Sequence, residues 1–339
     1  MSVTIRFPSQ MLQLRTLTLV CVMVVGCGDQ PRGPLAWGIG VASFDSAELG
    51  LGVATPDRFA DIAAVRRLVI PTYDGSGQAV HPDVLREPDR LVMAITPYPY
   101  SNNAFENPSL LVSSDGTHFT EPSEGLNPLV EAPPIDHNND PDLHVDPVTG
   151  EYEILYLEAL RPDAQHLISL RSRDLVTWTR HTAIEWNLAA GALFVVSPAV
   201  IVHGGTTSLF DVVLVGDDRR IERNDSPDGT TWDGATAFPV ALATGGMVPW
   251  HIDVFAHPNG YGMLINGYFH DIDANGNDRG FNNQDLWLAT SLDLIHWSLH
   301  PQPLLAHDDP DLDVATVYRS TGFVAGDRLI IWYSHQYQE

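Results

Sequence analysis

Short apolar runs alternate with turn residues along most of the chain from residue 66 onwards. Residues 91–95, 109–112 and 152–157 are typical of these runs, and Gly, Asp, Asn and Pro cluster between them. Runs of this length that are bounded by turn residues indicate strands. Their alternation of apolar and polar positions is imperfect, as in sheets that are packed on both faces. The pattern therefore predicts an all-β protein.

Two short motifs recur together along this pattern. The first stands at the start of a predicted strand, and its four copies are His81-Pro82-Asp83-Val84, Asp140-Pro141-Asp142-Leu143, Ser197-Pro198-Ala199-Val200 and Trp250-His251-Ile252-Asp253. The second, Ser-x-Asp-(Gly/Leu)-x-x-(Trp/Phe), follows at residues 113–119, 172–178, 226–232 and 291–297. A repeat of roughly 55 to 65 residues is typical of a propeller. The Ser and Asp of the second motif favour a tight turn over a functional role, because their side chains bond nearby backbone.

A fifth unit has two predicted strands, residues 317–321 and 328–333, but no second motif. Propellers complete the last blade with the other terminus, since an open edge strand invites aggregation. We therefore expect a five-bladed β-propeller whose last blade is completed by a segment within residues 35–75. The expected organisation is a signal peptide at residues 1–27, a tether and N-terminal segment at 28–65, and the propeller domain at 66–339.

The charge of the chain restricts its partners. The 339 residues carry 43 acidic and 18 basic side chains, which gives a formal net charge of −25, and every basic residue is Arg. Nucleic acid or another polyanion would be repelled by this charge. A neutral or weakly charged ligand, such as an oligo- or polysaccharide, fits the composition better.

The N-terminus is typical of an export signal. Two Arg residues precede an apolar run at residues 17–25, which is too short for a membrane-spanning helix. The run ends in Val24-Val25-Gly26-Cys27, which resembles the lipobox of bacterial lipoproteins, where the Cys is lipidated after cleavage. We expect export and a lipid anchor on Cys27 at the cell envelope, on the outer membrane or cell surface. The alternative is an ordinary secretory signal. Cys21 lies inside the apolar run, so the mature domain would have no free thiol and no Cys nucleophile.

Acidic residues mark the strand starts. Asp83, Asp142 and Asp253 occupy the same position in three repeats, and propeller symmetry would place them around one axial pocket. Converging, partly desolvated carboxylates raise the pKa of at least one of them, which can provide both an acid and a base. Glycoside hydrolysis needs such a pair. The alternative is that these Asp residues cap turns or bind a structural ion.

Loops expected at the same end of the propeller add residues that suit sugars, since aromatic rings stack on sugar faces and polar groups bond hydroxyls. Glu106, before the third strand of the first repeat, is an additional candidate catalytic carboxylate. His81 and His251 could bind substrate, orient a carboxylate or be structural, and these alternatives stay open. The candidate substrate-binding residues are His81, Tyr98, Asn107, Glu158, Trp250, His251 and Arg319.

One loop resembles part of a calcium site. Asp271, Asp273 and Asn275 supply oxygen ligands at positions 1, 3 and 5 of such a loop, and Gly276 stands at position 6. Asn282 replaces the Glu of position 12. A structural calcium loop and a plain polar loop both remain open, and no other cofactor is expected.

From about residue 66 to residue 339, the chain resembles the five-bladed β-propeller glycosidases of families 43, 62, 32 and 117. The resemblance rests on the Ser-x-Asp-Leu-x-x-Trp turns and the strand-start acids. It implies that Asp83 is the general base or nucleophile and that Asp142 tunes its partner's pKa and orients substrate. The family 43 general acid has no match, because Ala199 stands at that position, which leaves Asp253, Glu106 or Glu158 for this role.

We therefore expect a glycosidase that acts on a neutral glycan, with furanose-containing glycans among the candidates. The alternative is a non-catalytic, glycan-binding lipoprotein on the same fold. A phosphorolytic enzyme is disfavoured, because the chain has no Lys to hold phosphate.

Overall fold

The computed structural model of the protein describes residues 34–188, 194–216, 218–233, 236–312 and 314–339. The predicted signal peptide and Cys27 lie outside the described residues. Nineteen strands in the described part form five sheets. None of the helices in that part is long and apolar enough to cross a membrane.

The strands follow one another as successive propeller blades. Blade 1 contains β2 (Ala79–Arg86), β3 (Leu91–Pro97) and β4 (Ser109–Ser113). Blade 2 contains β5 (Asn138–Val145), β6 (Tyr152–Leu160), β7 (Ala164–Ser172) and β8 (Thr179–Asn187). Blade 3 contains β9 (Phe194–His203), β10 (Thr206–Val215), β11 (Asp218–Ser226) and β12 (Phe238–Pro239).

Blade 4 contains β14 (Val248–His257), β15 (Gly260–Tyr268), β16 (Asp285–Ser291) and β17 (His296–Leu299), and β13 (Ala241–Leu242) pairs with β17 in parallel. Blade 5 contains β18 (Thr316–Ala325), β19 (Arg328–Gln338) and β1 (Leu35–Asp45). The first strand of each blade is the inner strand, and the inner strands β2, β5, β9, β14 and β18 pack against one another in that order, with β18 returning to β2. The predicted all-β, five-bladed propeller is confirmed.

The N-terminal segment closes the ring. β1 pairs with β19 in antiparallel register along its whole length, from Leu35 opposite Gln338 to Asp45 opposite Arg328. The last blade therefore takes its outer strand from the start of the domain, as predicted. This arrangement leaves the inner strands of all five blades around one central channel.

The Ser-x-Asp motifs form turns. In the second copy, the Ser172 hydroxyl accepts the N–H groups of Asp174 and Leu175, and the Asp174 carboxylate accepts those of Val176 and Thr177. Hydrogen bonds from Thr177 and Val176 lower the pKa of Asp174 to about 2. The residue after the Asp has a positive φ in each copy, which explains why Gly suits that position. The φ values are 80° at Gly116, 63° at Leu175, 70° at Gly229 and 63° at Leu294. The motif is structural in every copy.

The hydrophobic core lies between the blades. Phe210 of blade 3 meets Trp297 of blade 4 edge to face, with ring centroids 6.1 Å apart. Between blades 5 and 1, the buried Trp332 indole donates to the backbone carbonyl of Gly116. This packing fixes each blade relative to its neighbours and so fixes the groups that line the channel.

Candidate active site at the front end of the axial channel

Each inner strand carries a bulge near its start. The register of β2 breaks between Val80 and Asp83, that of β5 between Asn139 and Asp142, and the other three inner strands break at corresponding places. Bulges are frequent next to active sites because they redirect a side chain. The polar residues at these corresponding places, which we call the polar ring, are His81, Asp140, Ser197, His251 and Arg319. The side chains of His81, His251 and Arg319 meet at Asp140. The Ser197 hydroxyl bonds the backbone N–H and C=O of Ile252 in the next blade.

Three members of the polar ring adopt an uncommon backbone conformation. His81, Asp140 and Ser197 have φ values of 55°, 53° and 58°, and each directly precedes a Pro. Left-handed backbone at non-Gly residues costs free energy and is concentrated at functional sites. The same conformation at three equivalent positions shows that the fold holds these side chains in place.

Asp140 is at the centre of the polar ring and is fully buried. Its Oδ1 lies 3.1 Å from Nε2 of His81, 3.6 Å from Nδ1 of His251 and 3.8 Å from Nη1 of Arg319. Its Oδ2 accepts the N–H of Ser197 at 2.8 Å, which fixes the carboxylate. One carboxylate is thus surrounded by two imidazoles and a guanidinium.

Several buried atoms of the polar ring have no hydrogen-bond partner within the described part of the chain. They are Nε2 of His81, Oδ1 of Asp140, both ring nitrogens of His251, and Nε and Nη1 of Arg319. The contacts around Oδ1 are close but outside hydrogen-bonding geometry. Buried polar groups are normally satisfied, so a concentration of free donors and acceptors marks a binding site.

Glu106 adds a second carboxyl group at the end of the channel that holds the polar ring, which we call the front end. It follows a short 3-10 turn, Asn103–Phe105, in the loop between β3 and β4. Its Oε2 lies 3.6 Å from Nδ1 of His81, and its Oε1 lies 3.9 Å from Nε2 of His137. Burial raises the pKa of Glu106 well above its ordinary value, and the nearby charge of Asp140 raises it further. The carboxyl group is therefore suited to donate a proton.

Burial has the opposite effect on the histidines of the ring. The pKa of His81 is lowered well below its usual value, first by burial and then by Arg319 and His137. Burial likewise lowers the pKa of His251. Both imidazoles are neutral at physiological pH, so each can donate from one nitrogen and accept at the other.

Aromatic side chains cover the polar ring. Tyr318 lies 4.3 Å from the His251 ring and 5.5 Å from the His81 ring, measured between centroids. Its hydroxyl accepts a hydrogen bond from Nε1 of Trp250 at 3.0 Å. Trp37 lies 5.1 Å from Tyr318 and 5.6 Å from Tyr98. Aromatic rings next to polar groups are the usual lining of a sugar site.

The other sequence-predicted binding residues divide into two cases. Asn107 accepts from Asn138 at 2.8 Å and donates to the hydroxyl of Tyr73 at 3.1 Å, beside Glu106. Glu158 instead contacts His166 at 3.1 Å and Arg180 at 2.7 Å, across the sheet of blade 2. The structure therefore brings Tyr98, Asn107, Trp250 and the ring members together, and leaves Glu158 in a separate cluster.

Asp83, Asp142 and Asp253 also converge on the axis, but two residues further along their strands than the polar ring. One carboxylate oxygen from each lies within 4.8 Å of the others. They line a cavity of about 260 Å³ whose other walls come from the later parts of the inner strands, including Arg86 and Phe323. We call this the rear cluster, because it opens toward the other end of the channel.

The rear-cluster carboxylates also join neighbouring blades. Asp83 accepts the N–H of Leu143 and, at 3.0 Å, the hydroxyl of Thr321. Asp142 accepts the N–H of Val200 at 2.9 Å, and Asp253 accepts that of Gly322 at 3.3 Å. Each acid thus bonds the inner strand of the next blade.

Burial dominates the electrostatics of the rear cluster. It raises the pKa of Asp83 well above the ordinary value, and Asp142 and Asp253 raise it further. The pKa of Asp253 rises to about 6, first through burial and then through Asp142. Behind Asp142, burial acts to lower the pKa of His144, but hydrogen bonds to Asp142 and Glu153 outweigh it and raise that pKa to about 9.

Three groups could offer ligands to a metal ion, and the rear cluster of Asp83, Asp142 and Asp253 is one of them. His81, Asp140 and His251 present three atoms within 4.8 Å of one another, but the Arg319 guanidinium beside the same carboxylate opposes a cation. In the predicted calcium loop, Asp273 accepts from the N–H of Asn275 and Asn277 and pairs with Arg279 at 3.2 Å. A calcium ion there would have to displace Arg279, and the calcium loop at Asp271, Asp273 and Asn275 stays a prediction.

Sequence reasoning missed several residues of this site. Asp140, Ser197, Trp37 and Tyr318 were not among the candidates, although Asp140 stands in the same motif as Asp142. For Asp140 and Ser197, the missed signal is their position directly before a Pro at the strand bulge; the fourth and fifth repeats have Ile252 and Ser320 in place of that Pro.

No protein-family model matches this chain, and no curated protein matches it in sequence. Among solved structures, it is similar to an exo-1,5-α-L-arabinanase from a bovine ruminal metagenomic library, with 14% identity, 77% of this chain and 97% of that chain covered, and a TM-score of 0.51. A glycosyl hydrolase from Bacteroides ovatus is 14% identical, with 84% of this chain and 94% of that chain covered and a TM-score of 0.51. A variant of the GH43 protein BlXynB from Bacillus licheniformis is 14% identical, with 72% of this chain and 46% of that chain covered and a TM-score of 0.51. The resemblance to propeller glycoside hydrolases is confirmed at the level of the fold.

Proposed function

We propose that this protein is a glycoside hydrolase whose active site is the polar ring together with Glu106. The observation that carries the proposal is the pair formed by Asp140 and Arg319. An anionic acceptor and a cationic donor lie 3.8 Å apart, both fully buried and both with free hydrogen-bonding atoms.

The chemistry of this pair selects the ligand. A metal ion would be repelled by Arg319, and an anion by Asp140. A hydroxyl group can donate to the carboxylate and accept from the guanidinium at the same time. A neutral polyhydroxylated ligand therefore fits best, and the aromatic rings of Tyr318, Trp250 and Tyr98 provide faces on which a sugar could stack.

Glu106 and Asp140 form the proposed acid and base. His81 lies between them, 3.6 Å from Glu106 and 3.1 Å from Asp140. Because an imidazole spans only a short distance, the two carboxyl groups are at most roughly 9 Å apart, an upper limit that is compatible with an inverting glycosidase. Glu106 protonates the leaving oxygen and Asp140 takes a proton from the attacking water, which inverts the anomeric centre.

This assignment moves the base from Asp83, the sequence-based choice, to Asp140. Both oxygens of Asp83 are engaged by blades 2 and 5, whereas Oδ1 of Asp140 is free. We assign the rear cluster of Asp83, Asp142 and Asp253 to holding the blades together. Asp83→Asn therefore serves as the comparison variant, since the earlier assignment requires it to be inactive.

The experiment is a screen of aryl glycosides and neutral polysaccharides, with arabinan first because one structural neighbour is named an arabinanase. Wild type, Glu106→Gln, Asp140→Asn and Asp83→Asn are assayed side by side. We expect turnover by wild type and Asp83→Asn, and losses of about 10²-fold or more in the other two. Turnover that survives Glu106→Gln but not Asp83→Asn would return the base to the rear cluster.

A second candidate function is glycan binding without catalysis. It is favoured by one observation, the depth of the two carboxyl groups, since Glu106 is 4% exposed and Asp140 is 0% exposed. Saturable binding of a glycan that wild type never cleaves would support this alternative.

We also propose that the domain is exported and held at the cell envelope through lipidated Cys27. The support is the Val24-Val25-Gly26-Cys27 sequence after an apolar run. Mass spectrometry of the mature N-terminus would test it, with Cys27→Ala as the control that should appear in the soluble fraction.

A further inference from the structure

The loop that carries Glu106 begins with a strained turn. It follows β3 as the short 3-10 segment Pro99–Ser101, in which Tyr100 and Ser101 have φ values of 50° and 63°. Left-handed backbone is uncommon outside Gly, Asn and Asp, and it costs free energy for a bulky side chain. Two such residues in succession persist only because the surrounding structure imposes the conformation.

Gln78 ties this turn to the first strand of the domain. It is buried, and its side-chain oxygen accepts the backbone N–H of Trp37 at 3.1 Å and that of Tyr100 at 3.0 Å. Its backbone carbonyl accepts the N–H of Tyr98 at 2.9 Å. The Ser101 hydroxyl in turn accepts a hydrogen bond from the Trp37 indole at 2.9 Å. These bonds fix the backbone of the turn relative to Trp37.

The contacts of the turn account for Ser101 but not for Tyr100. The Ser101 hydroxyl holds the Trp37 indole in place. The Tyr100 side chain is 54% exposed, and its hydroxyl donates to Oε2 of Glu339 at 3.1 Å. Gly or Asn would adopt the same backbone with less strain, so folding alone does not favour a Tyr at this position. Strain of this kind is concentrated at sites that bind ligands.

A row of aromatic rings connects the turn with the polar ring. Tyr318 packs on the His251 ring. Trp37 lies 5.1 Å from Tyr318, and Tyr98 lies 5.6 Å from Trp37, measured between ring centroids. Tyr100 follows Tyr98 by two residues and is the exposed member of the group. Aromatic rings offer large, flat, apolar faces, and a succession of them suits stacking on successive sugar units.

We propose that Tyr100 is the platform of an outer subsite, which binds a sugar unit distant from the polar ring, so that the ligand is an oligosaccharide chain. Trp37 and Tyr98 line the path between this subsite and the polar ring. The direction of the chain rests on the proposed function, because the chain is taken to start at the polar ring. The stacking role of Tyr100 is measured by binding and does not require turnover.

Two substitutions separate the Tyr100 ring from its hydroxyl. Tyr100→Asn removes the ring and suits the left-handed backbone, so the fold should stay intact. Tyr100→Phe keeps the ring and removes the bond to Glu339. The probes are arabino-oligosaccharides and xylo-oligosaccharides, from the disaccharide to the hexasaccharide. Their dissociation constants are measured by titration calorimetry with the full-length protein carrying Glu106→Gln, so that cleavage does not consume the probe.

We expect the affinity of the Glu106→Gln protein to increase with the length of the oligosaccharide. Adding Tyr100→Asn should weaken binding of the longest chains about 3- to 10-fold and leave the disaccharide unchanged, because only a longer chain reaches the exposed end of the aromatic row. Tyr100→Phe should stay within about twofold at every length. The melting temperature of Tyr100→Asn should be equal to or higher than that of the parent, because Asn relieves the strain.

The outcomes separate this subsite from the proposed function. A loss of affinity that is the same for the disaccharide and the hexasaccharide, or a lower melting temperature in Tyr100→Asn, would overturn the subsite. Length-dependent binding that Tyr100→Asn removes, in a protein whose wild type cleaves none of these chains, would overturn the proposed hydrolysis and support the subsite. Cleavage by wild type, with chain-length dependence that Tyr100→Asn leaves unchanged, would support hydrolysis and overturn the subsite.

Discussion

Nη1 of Arg319 lies 3.8 Å from Oδ1 of Asp140, and neither side chain reaches solvent. The two residues come from blades 5 and 2, which are far apart in sequence and meet only because the ring closes. Two opposite charges at this depth stabilise each other, and both keep atoms free for a ligand.

The ion pair of Arg319 and Asp140 should stabilise the fold. Arg319→Met leaves Asp140 as a buried charge without its cation, so we expect a loss of about 3–5 kcal/mol in the free energy of unfolding. Adding Asp140→Asn removes the orphaned charge and should restore part of that loss. Urea unfolding of the two single variants and the double variant measures the coupling. Strict additivity would show that the two charges do not interact.

Asp211 predicts a pH-dependent stability. It lies on β10 with one carboxylate oxygen unpartnered, and burial, reinforced by Glu222, raises its pKa to about 8. The folded state keeps a proton that the unfolded state releases near pH 4, so stability should fall as the pH rises from about 4 to 8. Asp211→Asn should remove this slope and stabilise the protein by about 1–3 kcal/mol at pH 8. Thermal unfolding at pH 5 and pH 8 would check it.

Asp225 supplies the matched control for that measurement. It lies on the neighbouring strand, but its carboxylate bonds Arg223 at 2.7 Å and Ser208 at 2.6 Å. Although burial acts to raise its pKa, these hydrogen bonds outweigh burial and lower it. Asp225→Asn should therefore destabilise the protein at pH 8. Equal changes in stability for Asp211→Asn and Asp225→Asn would mean that the surroundings of each carboxylate do not decide whether its replacement stabilises the protein.

His144 should make the stability of the fold depend on pH in the alkaline range. Its pKa of about 9 lies above the value near 6.5 in the unfolded chain. The stability that protonated His144 contributes is fully present below pH 6.5 and is lost as the pH rises through 9. We expect the free energy of unfolding to fall by roughly 1–3 kcal/mol over this range. His144→Gln should abolish this part of the pH dependence. Urea unfolding between pH 6 and 10 tests it.

His335 is the opposite case and serves as the comparison. Burial lowers its pKa to about 4. Its folded state resists protonation, so its effect appears as a loss of stability when the pH falls from about 6.5 toward 4. A His335→Gln variant that altered the alkaline range instead would contradict the assignment.

Tyr318 predicts a binding defect that separates its ring from its hydroxyl. The ring packs on His251, and the hydroxyl accepts from Trp250. Tyr318→Ala should weaken glycan affinity about tenfold through lost stacking area, and Tyr318→Phe should weaken it less. Titration calorimetry with a bound oligosaccharide measures both. Affinity that survives Tyr318→Ala would place the sugar elsewhere.

The repeat predicted the fold well because each blade carries the same local signals. The Ser-x-Asp turns and the strand starts at Asp83, Asp142 and Asp253 set the blade count and the axis. The position within the strand was harder to predict. In a regular strand, residues two apart point to the same side, so Asp140 and Asp142 look equivalent. The bulges, which the sequence shows only as a Pro after Asp140, separate them into the polar ring and the rear cluster.

The contacts between side chains of different blades could not be predicted from the sequence. Glu106 and Arg319 were candidates on their own, but their common neighbour Asp140 comes from a third blade. Glu158 was an equally reasonable candidate and pairs with His166 and Arg180 instead. Such choices depend on which way a loop or strand end turns, and this is set by packing between blades.

In the proposed mechanism, Glu106 transfers a proton to a glycosidic oxygen at the front end of the channel. The decisive experiment compares wild type with Glu106→Gln for both hydrolysis and binding of the same neutral glycan. Turnover should fall about 10²- to 10⁴-fold in Glu106→Gln while the dissociation constant changes little. Equal turnover by the two proteins, or binding by wild type with no turnover at all, would rule out this role of Glu106.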